Sequence, residues 1–153
     1  MSEIEKKIAD LGFTLPEMSK PANAYIPAIV TGDLVYTSGC IPSVDGQTAY
    51  SGHVGAEVSP EDGYKAAQIC ALNCLAAAKL AIGDLDRIDR VIKLLGFVSS
   101  APGFTAQSQV VNGASELLIK IFGENGEHAR SSIGVIELPG NVPVEVEMIL
   151  RLK

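Results

Sequence analysis

The stretch ARSSIGVIELPGNVPVEVEMILRL, residues 129–152, decides how this chain is read. From Val142 onward, Val144, Val146, Met148, Leu150 and Leu152 fall on alternate positions, the period of a strand with one buried face. The other face carries Glu145, Glu147, Ile149 and Arg151. Ahead of this strand, Leu138 leads into Pro139-Gly140-Asn141, where Pro fixes φ and Gly and Asn tolerate positive φ, so a turn is expected. The segment upstream of the turn reads as a second strand with Arg130 at its start. Two antiparallel strands joined in this way would hold Arg130 close to Glu145. A fixed guanidinium is a two-point receptor for a small carboxylate, and a nearby glutamate can handle a proton or orient a water.

The rest of the chain supplies partners for these strands. Residues from about Ser2 to Gly12 form an amphipathic pattern, with Ile4, Ile8 and Leu11 at helical spacing. Tyr25–Val30 and Leu34–Ser38 flank Thr31-Gly32-Asp33 as a hairpin, and Ser43-Val44-Asp45-Gly46 marks a second turn before a short segment near Thr48–Tyr50. The first long helix is well punctuated. Ser59 suits the N-cap, Pro60 the first helical position, Glu61 and Asp62 the positive end of the dipole, and Gly83 the stop. Its small-residue stripe of Tyr64, Ala67, Ala71, Cys74, Ala78 and Ala81 is expected to lie against a sheet.

Arg87–Ser99 is apolar on both faces and belongs in the middle of a sheet. A second long helix is expected over Phe104–Phe122, with Val111, Ala114, Leu118 and Ile121 inward. The order β-β-(β)-α-β-α-β-β predicts an α+β fold: one domain over residues 1–153, with a single mostly antiparallel sheet and two helices on one face. The uncovered face, apolar in part and bearing Glu145 and Glu147, calls for association with another surface.

The 153 residues suit one domain with its own core; 47 % are hydrophobic and 20 % charged, which excludes a disordered chain. A net charge of −6 disfavours nucleic acid as a partner, because binding it depends on neutralising phosphates with Lys and Arg. No apolar stretch reads as a membrane span and the N-terminus lacks a signal-peptide core, so a cytoplasmic protein without a membrane partner is expected. Cys40, Cys70 and Cys74 are odd in number, which argues against a disulfide framework; Cys70 and Cys74 read as small buried side chains. His53 and His128 show no ligand spacing with them, so no metal is expected.

Three motifs in order resemble the YjgF group, the reactive-intermediate (enamine/imine) deaminases or Rid proteins. Ala129, Arg130, Ser131, Val135, Leu138, Pro139, Val144, Glu145 and Glu147 fall in step with the family pattern A-R-S-x-V-x-V-x-x-L-P-x-x-x-x-V-E-I-E. Tyr36-Thr37-Ser38-Gly39-Cys40-Ile41-Pro42 is similar to its T-S-G-Q-I-P, and Ala24-Tyr25-Ile26-Pro27 to the segment that carries its active-site tyrosine. The likeness runs from about Pro21 to Lys153.

It implies a chorismate-mutase-like homotrimer with sheets facing inward and sites in the clefts between subunits. It also implies a cofactor-free hydrolase that converts 2-imino and enamine acids, such as 2-aminoacrylate, to 2-keto acids and ammonia. On this resemblance Arg130 grips the substrate carboxylate, Glu145 is associated with the hydrolytic water, and Tyr25 sits near the imine. Ser38, Asn112 and Ser132 would complete the substrate contacts. Glu147 shares the face of Glu145 and competes with it on spacing alone. The chain departs from the pattern at Ser132, where many members carry cysteine, and at Cys40, where glutamine is usual. The loop Gly123–His128 is one residue longer, and the N-terminus is extended.

Two other readings use the same residues. A non-enzymatic small-carboxylate sensor or chaperone-like trimer needs Arg130 but not Glu145. A ribonuclease is opposed by the acidic balance. A chorismate mutase would require several cations around a dicarboxylate, and the motifs identify Arg130 alone.

Overall fold

In the computed structural model, which describes residues 1–18 and 24–153, the final strand lies at the middle of the sheet. The elements are α1 (Glu3–Asp10), β1 (Ala28–Thr31), β2 (Leu34–Thr37), β3 (Ser43–Val44), β4 (Gln47–Thr48), α2 (Pro60–Ile82), β5 (Ile88–Ser99), α3 (Gln107–Phe122), β6 (Ala129–Val135) and β7 (Val144–Leu152). The main sheet has the order β1-β2-β7-β5-β6, and β3 with β4 forms a separate small hairpin. All pairs are antiparallel except β5 with β6, which run parallel. The fold is therefore α+β with a mostly antiparallel sheet, as the sequence indicates. The start of the family likeness, at Pro21, lies outside the described residues.

The alternation in β7 places Val144, Val146, Met148, Leu150 and Leu152 in the core. They meet β5 through Leu94↔Met148, Gly96↔Val146 and Val98↔Val144. On this side α3 contributes buried Val111, Ala114, Leu117, Leu118 and Ile121. Burying each large aliphatic side chain of this kind stabilises the fold by roughly 1.5–3 kcal/mol. The two long helices touch each other closely at Gly113, where a Cβ would stand 2.0 Å from the Tyr64 carbonyl oxygen. Any side chain there would push the helices apart.

Helix α2 begins and ends as its sequence demands. The Ser59 hydroxyl oxygen accepts from Asp62 N–H at 3.1 Å, Pro60 opens the helix, and Gly83 takes φ +83° at its end. Its buried surface is wider than a stripe, because every residue from Cys70 to Ala78 is buried. Tyr64 and Ala81 fall outside the core: Tyr64 donates its hydroxyl to Glu116 at 2.7 Å, and Ala81 is exposed. Contrary to the sequence reading, α2 is long and apolar enough to cross a membrane by length and composition, but here most of it is buried inside the fold. Helix α1 carries a capping box between Ser2 and Glu5 and buries Ile4 and Ile8, while Leu11 is exposed beyond its end.

Several boundaries move for local reasons. Strand β1 starts at Ala28, because Pro27 has no N–H to give to a ladder, and Tyr25 lies outside it. Asp45 and Gly46 both have positive φ (51° and 78°), the requirement for a tight hairpin turn between β3 and β4. Helix α3 begins at Gln107 rather than Phe104.

The largest correction concerns the C-terminal strands. They are not neighbours: β5 lies between β6 and β7. The turn at Pro139–Asn141 does form, with Gly140 at φ +66° and Asn141 at φ +57°, yet it carries the chain past β5 instead of closing a hairpin.

Candidate functional site

Arg130 stands on the edge strand β6, opposite Leu94 of β5, and so faces the helices. The stripe of α3 above it is polar at Ser108, Asn112 and Ser115, positions spaced to share one helix face. Arg130 Nη1 donates to Asn112 Oδ1 at 2.8 Å and to Ser115 Oγ at 3.1 Å. Its Nη2 reaches the Ser108 carbonyl at 3.5 Å. Every partner is neutral, and among the described residues no carboxylate pairs with this guanidinium. Nη1 makes the two short bonds and Nη2 only the long one, whereas Nε has no protein acceptor among the described residues. The Nε/Nη2 edge is therefore the less occupied side of the guanidinium. That edge matches the two oxygens of a carboxylate.

His128 extends the network. Its Nδ1 lies 2.6 Å from the Gly126 carbonyl and its Nε2 lies 2.9 Å from Ser115 Oγ. Burial, and then the charge of Arg130, hold its pKa below the ordinary histidine value against the raising effect of Gly126. Ser132 lies two positions after Arg130 on the same face, opposite Gly96. Its Oγ is buried without a partner among the described residues.

A second polar cluster surrounds Glu145. This residue pairs with Phe97 of β5 and points to the face of the sheet that no helix covers, as does Glu147. Cys40 and Val146 exchange both backbone hydrogen bonds, at 2.8 and 3.0 Å, which lays the Ser38-Gly39-Cys40 segment alongside Glu145. A Cβ built on Gly39 would come within 2.0 Å of Glu145 Oε1, so the carboxylate rests directly on the glycine. Burial, followed by the charge of Glu147, raises the Glu145 pKa above the ordinary carboxylate value.

The Ser38 hydroxyl donates to the Ile26 carbonyl at 2.6 Å, and Ser38 N–H donates to Pro27 O at 2.7 Å. These two bonds fix the segment bearing Tyr25, whose ring is 51 % exposed. Tyr25, Ser38, Gly39 and Cys40 line a cavity of about 180 Å³.

The six residues expected from the sequence thus fall into two groups. Tyr25 and Ser38 share a cavity with Gly39, on which the Glu145 carboxylate rests, while Arg130 bonds Asn112 and Ser132 follows it on the same face. The ladder register shows how far apart these are. Arg130, Leu94 and Met148 share one row on the helix side, while Ile133, Phe97 and Glu145 share a row on the open side. Arg130 and Glu145 are therefore on opposite faces, two strand spacings apart, or roughly 10 Å across the sheet alone. Within one chain they cannot hold the same small molecule, contrary to the hairpin reading. Among the described residues no cluster of three or more His, Cys, Asp or Glu is placed to hold a metal ion.

Residues 5–149 match the family described as "YjgF/chorismate mutase-like, putative endoribonuclease". The chain belongs to the YjgF/chorismate-mutase-like family. It is 42 % identical to protein TCP17 of Trypanosoma cruzi over 93 % of this chain and 89 % of that one. The crystal structure of Atu1372 from Agrobacterium tumefaciens superposes with a TM-score of 0.90 at 44 % identity, covering 97 % of this chain and 91 % of the other. That of a protein titled "putative endoribonuclease" from Shewanella oneidensis gives a TM-score of 0.93 at 32 % identity, covering 97 % and 99 %. In the T-S-G motif shared with this family, the glycine is what lets the Glu145 carboxylate rest where it does. Ser115 was not singled out in the sequence, and His128 was considered there only as a metal ligand. Their signal was there: Ser115 follows Asn112 by three on a helix, and His128 precedes Arg130 by two, just before β6.

Proposed function

We propose that this chain is a cofactor-free deaminase that hydrolyses 2-imino acids and their enamine tautomers, such as 2-aminoacrylate, to 2-keto acids and ammonia. The observation that carries this reading is the Arg130 guanidinium, held by neutral groups alone, with Nε without a protein partner among the described residues and Nη2 held only by a long contact. A charge positioned in that way, without a counter-ion, is a receptor for a small carboxylate.

The reading assigns the site to two copies of the chain. Arg130, Asn112 and Ser132 of one copy meet Tyr25, Ser38 and Glu145 of a neighbour across a cleft of a homotrimer. Support comes from the uncovered face of the sheet, where Ile29 and Tyr36 are 55 % and 40 % exposed and Ile133 is 44 % exposed. Exposed apolar side chains on an uncovered sheet face are commonly covered by another subunit.

In this arrangement Arg130 anchors the carboxylate and fixes the imine carbon. Glu145, made a stronger base by its raised pKa, takes a proton from water as the oxygen attacks that carbon. The Tyr25 hydroxyl hydrogen-bonds the nitrogen. Protonation of the resulting amine and collapse of the carbinolamine release ammonia and leave the 2-keto acid. Imines already react with water, so positioning contributes most of the rate gain.

The natural setting would be the cytoplasm, where pyridoxal-phosphate dehydratases release such intermediates. The test adds purified protein to a dehydratase generating 2-aminoacrylate and follows keto-acid release; acceleration supports the reading, and an unchanged rate with saturating protein rejects it.

A further inference from the structure

We propose that His128 and Ser115 are positioning residues for Arg130: together they hold its guanidinium so that the Nε/Nη2 edge, rather than the Nη1/Nη2 end, meets the substrate carboxylate. This rests on the reading of Arg130 as the carboxylate anchor.

The direction of each hydrogen bond follows from what each group can do. The Gly126 carbonyl only accepts, so the proton of a neutral His128 sits on Nδ1. Nε2 is then an acceptor, and the Ser115 hydroxyl donates to it. With its proton committed, Ser115 Oγ turns its lone pairs outward and accepts from Arg130 Nη1. Asn112 Oδ1 accepts from the same nitrogen. The chain of donors is polarised in one sense, from Arg130 through Ser115 to His128 and the backbone.

The orientation has a chemical consequence. If Ser115 were not held by His128, its hydroxyl could rotate and donate elsewhere, and Nη1 would lose one of its two acceptors. The guanidinium could then present its end-on pair of nitrogens to the ligand. The burial of His128, and its neutrality beside Arg130, keep a competing cation away from the anchor. His128 sits on the loop before β6.

The test measures 2-oxobutanoate binding by calorimetry and imine hydrolysis by the coupled assay, with circular dichroism to check folding. His128→Leu should weaken 2-oxobutanoate binding about 5–10-fold, the effect of one lost hydrogen bond. KM should rise by a similar factor while kcat stays within about twofold, because the anchor acts on ground state and transition state alike. His128→Gln, which retains an acceptor near the Nε2 position, should recover most of the affinity. Should His128→Leu fail to fold, Ser115→Ala replaces it with Ser115→Thr as the rescue, and the same split is expected.

A merely structural role would lower melting temperature and active fraction without a selective rise in KM. Wild-type affinity in both His128→Leu and Ser115→Ala, with Arg130→Gln unable to bind, overturns the positioning role alone. A wild-type protein that binds no 2-oxobutanoate overturns this inference together with the anchor reading beneath it.

Discussion

The cluster around Arg130 and the cluster around Glu145 differ in how complete they are within one chain. Around Arg130, α3 supplies acceptors for Nη1 and a contact for Nη2, and His128 fixes the hydroxyl of Ser115. That half of the site is built before any ligand arrives. Around Glu145 the carboxylate lies, half-buried, on a glycine at the uncovered face, and Tyr25, which shares a cavity with that glycine, is 51 % exposed. Among the described residues no carboxylate pairs with the first cluster's guanidinium, and no cation pairs with Glu145. In the proposed two-chain site each would supply what the other is missing, and within one chain the sheet keeps them apart.

Removing the cation's geometry should have the largest effect. Arg130→Lys keeps the charge but loses the planar fork, and should abolish measurable turnover while leaving the melting temperature within a few degrees. A truncated charge-assisted contact in a desolvated cleft costs on the order of 2–5 kcal/mol. Near-normal activity in the coupled assay would remove Arg130 from the anchor role.

Glu145→Gln sharpens the contrast between holding and reacting. Turnover should fall roughly 100-fold or more, while 2-oxobutanoate binding changes little. Glu147→Gln serves as its control and should cost less. Unimpaired hydrolysis by Glu145→Gln would leave a cleft that binds small acids without acting on them.

Gly39→Ala tests whether the second cluster depends on the close approach of the carboxylate to the backbone. The new methyl would occupy the place of Glu145 Oε1. The side chain can swing aside, so the protein should fold, with kcat reduced about 10-fold, within the range for a displaced base. Unaltered kcat would show that the observed carboxylate position is not the working one.

The smallest expected effect is a shift in pH dependence. Glu147 is the second cause, after burial, of the raised Glu145 pKa. Glu147→Gln should therefore move the acid limb of the kcat/KM profile to lower pH, since the Glu145 carboxylate then ionises more easily. A limb that stays in place, or moves upward, contradicts the assignment of that limb to Glu145.

Much of this was legible in the chain because local chemistry settles it. Ser59, Pro60 and Gly83 bound α2 wherever the helix packs, and the alternation from Val144 to Leu152 fixes which face of β7 is buried. The pairing of β6 was not legible. Pro139-Gly140-Asn141 specifies that the backbone turns, but not which strand it returns to. The connection, residues 136–143, is longer than the usual hairpin loop of about 2–5 residues. Strands β5 and β6 are joined through α3, and a helical crossover permits the parallel pairing seen here.

The motifs named the six candidate residues. Their division between two faces was not legible, because it follows from sheet order alone. The part played by Ser115 and His128 beside Arg130 was not readable, because each is an ordinary residue until α3 and β6 are laid side by side.

The most direct test of the two-chain site is complementation. Arg130→Lys and Glu145→Gln proteins, each inactive alone, are unfolded, mixed in equal amounts and refolded together, and the mixed assemblies are assayed for imine hydrolysis. If a site takes Arg130 from one copy and Glu145 from the next, random assembly restores about a quarter of wild-type activity, the fraction of clefts in which both contributors are intact. If mixed assemblies form, as native mass spectrometry would show, yet activity stays at the level of the separate variants, Arg130 and Glu145 do not act in one cleft built from two chains.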